Sequence, residues 1–166
     1  MYTGPKSFYF ESQMIRLTKQ SDYGILLMTQ FARAGKAGLF STTDLASRSG
    51  LSVPMVNKTL KMLQRGGLLK SVRGVNGGYK LARDSGAITL EEVIEAVDGP
   101  IALTECHEHT GDGSACGISA SCPTRVNWGV INNAIRDSLS GVTLLQMIHP
   151  LLGSGKMRVR QEPPQE

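Results

Sequence analysis

Little in this sequence points to a membrane or to an oxidising compartment. None of its 166 residues falls in an unbroken apolar run of membrane-spanning length, which argues against an integral membrane protein. The first residues, Met1 to Gln13, lack the charged-then-apolar pattern and small-residue cleavage site of a secretory signal. Cysteine is scarce, and its count of three is odd, which argues against a disulfide framework. A cytoplasmic location with reduced thiols is therefore expected. There is no internal repeat and no low-complexity tract. No nucleophile–base pair, glycine-rich phosphate loop or carboxylate pair stands out, so an enzyme is not expected. Gly77-Gly78 lacks the strand-to-helix setting of a dinucleotide fingerprint.

Charge of one sign is missing over long stretches. From Asp84 to Thr124 there are eight acids and no Lys or Arg. From Arg16 to Arg83 there are twelve Lys or Arg, and the only acids are Asp22 and Asp44. The formal net charge of +4 thus conceals a basic half followed by an acidic segment. Such asymmetry suits a polyanion-binding half and a second half with another task. The plainer reading is two solvated faces of one domain. The charge boundary coincides with a motif boundary, which favours the first.

Helical periodicity begins at Thr18, where Tyr23, Ile25, Leu26, Leu27, Phe31 and Ala34 share one broad face, and Gly35 is a natural stop. A short helix over Thr43 to Ser49 follows, with Leu45 and Ala46 inward. After the turn Gly50-Leu51-Ser52, Ser52 can cap a third helix with Pro54 in its first turn. Met55, Val56, Thr59, Leu60 and Leu63 lie on its apolar side, and Gly66-Gly67 ends it. Helix, short helix, glycine turn and helix is the helix-turn-helix order. Leu68 to Val72 and Tyr79 to Ala82 read as strands on either side of the loop Arg73 to Gly78, which makes a hairpin wing.

Thr89 and Glu92 form a capping box for a helix over Leu90 to Val97. Leu103 to Pro123 has no periodicity and holds all three cysteines, a length that points to a ligand or a lid. Val126, Val130, Ile131, Ala134, Ile135 and Leu139 make an amphipathic helix from Thr124 to about Leu139, and Thr143 to Ile148 adds a short one. The tail from Gly153 is rich in Pro, Gln and Glu and is expected to be disordered. The expected fold is mainly α with a small β-hairpin wing: a winged helix-turn-helix followed by a long C-terminal helix.

Ser52, Asn57, Lys58 and Lys61 occupy polar positions of the third helix. In a major groove, Asn reads adenine, while Lys reads guanine or neutralises phosphate. An ordinary solvated helix face would look the same. The wing shifts the balance, because Arg73 at its base suits a narrow minor groove. Gly77 and Gly78 allow close backbone approach there, and Lys80 and Arg83 are near. Cys106, Cys116 and Cys122 form a C-x9-C-x5-C pattern among polar neighbours. Thiolates at loop spacing suit an iron–sulfur cluster, zinc or copper(I). The absence of a C-x2-C pair speaks against a zinc ribbon or knuckle. A fourth ligand would come from His107, His109, Glu105 or elsewhere. The alternatives are a redox-sensing thiol set or three inert cysteines. His149 reads as a surface or packing residue, and Trp128 as a packing anchor.

Taken together, the run Met14 to Gly24, the wing Ser71 to Arg83, the run Thr89 to Gly99 and the three cysteines resemble one family. They are similar to the winged-helix bacterial regulators that sense iron–sulfur clusters, iron or nitric oxide, over Met14 to about Pro150. The stretched first cysteine gap and the run Ile131 to Arg136 look closest to regulators of the SUF iron–sulfur assembly operon. The resemblance implies a homodimer formed through the helix Thr124 to Leu139. It implies a cluster, 2Fe-2S or 4Fe-4S, held by Cys106, Cys116 and Cys122 between that helix and the partner's N-terminal region. Where some members place a histidine ligand after the last cysteine, this chain has Arg125, which cannot ligate. Other members use an Asp in the first helix of the opposite subunit, and Asp22 stands there, with His107 and His109 behind it as alternatives. The wing arginine carries over to Arg73, although Val75-Asn76 replaces the common Pro-Gly.

Five segments are therefore expected. Residues 1–13 form an N-terminal extension, 14–83 the winged helix-turn-helix, and 84–123 a connecting helix and cluster loop. Residues 124–150 form the dimerisation helix with a short final helix, and 151–166 a disordered tail. The implied function is a transcriptional regulator, a repressor of iron–sulfur assembly genes, whose partners are an operator in double-stranded DNA and a second copy of itself. A nitric-oxide- or iron-responsive repressor, or a zinc- or thiol-based winged-helix regulator without a cluster, are the alternatives.

Overall fold

The first N–H groups of a helix have no partner within it, so a nearby oxygen decides where a helix begins. In the computed structural model, which describes residues 17–104, 117–118 and 121–149, four helices start this way. Thr18 accepts from the N–H groups of Gln20 and Ser21 and opens α1, Lys19–Ala34. Capping boxes open three more: Ser41 with Asp44 for α2, Thr42–Ser49; Thr89 with Glu92 for α4, Leu90–Asp98; and Thr143 with Gln146 for α6, Leu144–Ile148. The helices α3, Val53–Arg65, and α5, Arg125–Ser140, begin without a side-chain cap. Ser52 has the extended backbone of a cap, yet its hydroxyl makes no cap hydrogen bond. The sequence expectation holds for its position and not for its side chain.

β1, Leu69–Val72, and β2, Gly78–Leu81, pair antiparallel in a register that sets Leu69 against Leu81 and Val72 against Gly78. A further contact has no local sequence signal. Phe40, just before α2, donates its N–H to the Tyr79 carbonyl at 3.0 Å and accepts the Tyr79 N–H at 2.8 Å. This isolated bridge ties the hairpin to the helix-turn-helix.

The core forms around α1. Leu27, Met28 and Phe31 are fully buried against Leu45 of α2, Val56, Leu60 and Leu63 of α3, and Leu68 and Leu69 of the hairpin. Ile88, Val93, Val97 and Leu144 complete it. The Phe31 and Phe40 rings meet edge to face, 5.4 Å apart. Ala34, expected on the inner face of α1, is exposed, while Met28 and Ala32 are inside. Gly24 turns to α4, where an added Cβ would lie 3.3 Å from a Val97 methyl. Asp98, at the far end of α4, accepts hydrogen bonds from the Thr18 hydroxyl, at 2.6 Å, and from the Ser21 hydroxyl, locking the two helices at their ends.

The helix α5 stands apart. No side chain of it joins the core cluster, and Asn132 is its one buried residue. Val126, Val130 and Ile131 of the expected apolar stripe are exposed, and so is Trp128, read from sequence as a packing anchor.

Close approach of α3 to α4 yields a stability prediction. Gly66 has ordinary helical-side backbone, but an added Cβ would lie 2.6 Å from the Cβ of Ala96. Gly66→Ala should cost about 1–3 kcal/mol through overpacking. Adding Ala96→Gly should recover part of that loss. Urea unfolding of the two variants measures both effects, and an unchanged midpoint for Gly66→Ala would contradict the packing.

Candidate DNA-binding face and thiol segment

Helical spacing on α3 separates two sets of side chains. Val56, Thr59, Leu60 and Leu63 are buried. Ser52, Lys58, Lys61 and Arg65 are exposed and Asn57 is half-buried, so the polar residues singled out from sequence share the outward side. A hydrogen bond fixes the inward side: Gln20 of α1 donates through Nε2 to the Thr59 hydroxyl at 2.7 Å, which in turn donates to the Met55 carbonyl at 3.0 Å. At the other end, Gln64 donates to the Ser71 hydroxyl of β1 at 3.2 Å. The helix is thus held against both α1 and the hairpin. Sequence reading missed Gln20 and Gln64, since no spacing rule links residues so far apart.

The hairpin places Arg73, exposed, at the end of β1, and Val75 at its tip with its whole side chain in solvent. Gly74 adopts φ +123°, open only to glycine. Gly77 and Gly78 were read as allowing close approach to a ligand. The structure gives them an internal reason: a Cβ on Gly77 would meet the carbonyls of Val72 and Gly74, and one on Gly78 the carbonyl of Phe40. Lys80 is exposed and stands opposite Lys70 in the ladder. Arg83 is committed within the protein, 2.8 Å from Glu92.

Acids on this half are few: Asp22 on α1 and Asp44 on α2. Asp44 accepts from the Ser41 hydroxyl at 2.7 Å, which holds its carboxyl below the usual carboxylate range. The Arg48 guanidinium lies over the Phe40 ring, 4.8 Å from its centre. The outward face of α3 and the hairpin is consequently basic, with Lys58, Lys61, Arg65, Arg73 and Lys80 all exposed. A helix with that face and an adjoining arginine-bearing wing matches the shape and charge of duplex DNA.

Of the expected metal ligands, Cys122 and Asp22 are described. Cys106, Cys116, His107 and His109 lie outside the described residues, as do residues 1–13 and 151–166. Cys122 is a free, half-buried thiol three residues ahead of α5. The Thr124 hydroxyl, 3.3 Å from its Sγ, and the Thr124 backbone lower its pKa, and the Arg125 backbone and charge add to the effect. Asp22 is exposed in the first turn of α1, while Thr18 caps the helix and its hydroxyl, with that of Ser21, donates to Asp98. Among the described residues no three His, Cys, Asp or Glu side chains come together as a metal site.

Known proteins resemble this chain in sequence and in fold. The chain is 31% identical over 135 residues to the HTH-type transcriptional regulator IscR of Citrobacter koseri, spanning 81% of this chain and 80% of that one. The same identity and coverage hold for IscR of Salmonella newport. Among solved structures, CymR, the global cysteine regulator of B. subtilis, superposes with a TM-score of 0.63 at 27% identity, covering 81% of this chain and 97% of CymR. IscR of T. potens does so with a TM-score of 0.61 at 27% identity, covering 81% and 86%. These neighbours bear out the winged-helix architecture expected from sequence. Residues 17–150 match the Rrf2 family, described as iron-dependent transcriptional regulators, and the chain belongs to that family.

Proposed function

We propose that this Rrf2-family regulator is a homodimeric repressor of iron–sulfur assembly genes whose operator affinity is set by an iron–sulfur cluster. The observation that carries DNA binding is the basic outward face of α3 and the hairpin, with Asn57 and Lys58 reaching bases and Arg73 a minor groove. Ser52, Lys61 and Lys80 supply phosphate contacts, while Gly77 and Gly78 shape the hairpin that carries Arg73.

The donor set suits a cluster. Cys122 is held towards its thiolate, the form that binds metal, and Asp22 is an exposed carboxylate. With Cys106 and Cys116 they make three soft ligands and one hard ligand, Asp22 coming from the other subunit, with His107 as the alternative fourth donor. When bound, the group supplies an iron-centred redox and ligand-exchange chemistry. The chain's own part is to present the Cys122 thiolate ahead of α5 and a carboxylate at the start of α1. The exposed Val126, Val130 and Ile131 support pairing of α5 with a second copy, since a stripe of that kind is stabilised by burial.

Duplex affinity should fall steeply with salt, with a log–log slope of about −0.9 per phosphate neutralised. Arg73→Ala should lower operator affinity by about 1–3 kcal/mol if it enters a groove. Fluorescence anisotropy across a salt series measures both, and a flat salt dependence would reject DNA binding. Cys106→Ala, Cys116→Ala and Cys122→Ala should each abolish iron and sulfide retention after anaerobic reconstitution, with the circular dichroism spectrum unchanged. Full iron and sulfide in all three variants, or zinc in place of iron in the wild type, would reject the cluster.

A further inference from the structure

The hydrogen bonds and ion pairs that attach α5 are concentrated towards one end. Just past its C-terminus, the Leu90 N–H donates to the Val142 carbonyl and the Leu144 N–H to the Ile88 carbonyl, each at 2.9 Å. These bonds flank the Thr89–Thr143 bridge and join the end of α5 to the start of α4. Further back, Arg136 spans two carboxylates on one face of α4, with Nε 2.9 Å from Glu91 and a terminal nitrogen 3.4 Å from Glu95. One turn beyond, Asn132 is 5% exposed. Its Oδ1 accepts the Leu103 N–H at 3.1 Å and its Nδ2 donates to the Ile101 carbonyl at 3.2 Å.

An asparagine that pairs with a carbonyl and an N–H two residues apart imitates a neighbouring strand, and it does so in one orientation only. A guanidinium fork across two carboxylates is similarly directional. An apolar seam would tolerate sliding and rotation, whereas these bonds do not. The helix is therefore an arm, pivoted at residues 142–144 and braced at Arg136 and Asn132. Its outer half carries the exposed Val126, Val130 and Ile131.

The helix α4, which Arg136 grips and which leads directly into the Ile101 and Leu103 segment held by Asn132, is itself fixed to the reading head. It meets α1 at Gly24 and α3 at Gly66, both by close backbone approach. The angle between α5 and α4 is consequently the angle between α5 and the recognition helix. A swing of about 10° over about 20 Å, some two-thirds of a small domain's diameter, displaces the far end by about 3.5 Å. That is about one base-pair step, roughly 3.4 Å.

We propose that Asn132 and Arg136 determine operator specificity at a distance: by bracing α5 they set the separation of the two recognition helices, and hence the half-site spacing the dimer accepts. The inference rests on the pairing of two copies through α5 and adds what controls their geometry. It also gives the run Ile131 to Arg136, notable in the sequence, a physical task.

The test uses full-length protein and a duplex selected by the wild type from a randomised pool, remade with its half-sites one and two base pairs closer or further apart. Wild type should lose about tenfold in affinity at two base pairs from the optimum. Asn132→Leu with Arg136→Met should remain dimeric by sedimentation, bind the best duplex more weakly, and show a dependence on spacing of less than about threefold. Arg136→Lys, which keeps the charge and loses the fork, should fall between. A dimeric double variant with the wild-type spacing profile would overturn the bracing role while leaving the α5 pairing intact. A monomeric wild type would overturn the pairing, and the bracing with it. If Asn132→Leu fails to fold, Arg136→Met alone carries the same comparison, because that side chain is 34% exposed.

Discussion

The burial of α1 is the constraint on which the other elements depend. Leu27, Met28 and Phe31 are wholly enclosed, and side chains from α2, α3, α4, α6 and the hairpin close around them. Each such side chain contributes about 1.5–3 kcal/mol when removed from water. With its inner face so used, α1 fixes α3 by the Gln20–Thr59 hydrogen bond and α4 by Gly24 and Asp98. The recognition helix is then committed to turning Lys58, Lys61 and Arg65 outward. DNA-binding geometry thus follows from a packing problem solved elsewhere in the molecule.

The acidic stretch after the wing acquires a different meaning in three dimensions. Glu91 and Glu95 hold Arg136, Glu92 holds Arg83, Asp98 accepts from the Thr18 and Ser21 hydroxyls at the start of α1, and Asp84 accepts the Gly86 N–H. Five of the eight acids counted from sequence are therefore internal counter-charges and caps rather than a second charged surface. None of the five lies on α3, whose exposed Lys58, Lys61 and Arg65 attract a polyanion.

Much of this was legible because it is local. The capping box at Thr89, the helical stripe of α3, and two short strands around a glycine loop are patterns within a few residues, and each appears within a residue or two of its expected place. Asn132, Asp98, Gln20 and the Phe40–Tyr79 bridge were not, because each acts on a partner between 29 and 80 residues away and no periodicity encodes it. Trp128, expected to anchor packing, finds no core of its own chain to face, because α5 contributes nothing to the core cluster. Gly77 and Gly78 were legible as close-approach positions, but the approaching backbone is that of the protein. Of the proposed cluster ligands, the cysteines stand out by spacing and Asp22 by resemblance alone. The structure adds the setting of Cys122 beside Thr124 and of Asp22 in the first turn of α1.

Occupancy of the thiol site is claimed to change operator affinity, and one titration tests that directly. A single labelled operator duplex is titrated anaerobically, at fixed salt, with cluster-loaded and with cluster-free protein. The account predicts affinities that differ by about 5- to 150-fold, a coupling of about 1–3 kcal/mol. It also predicts that the difference vanishes in Cys122→Ser. Equal affinities for protein of verified iron and sulfide content and for its cluster-free form would contradict it.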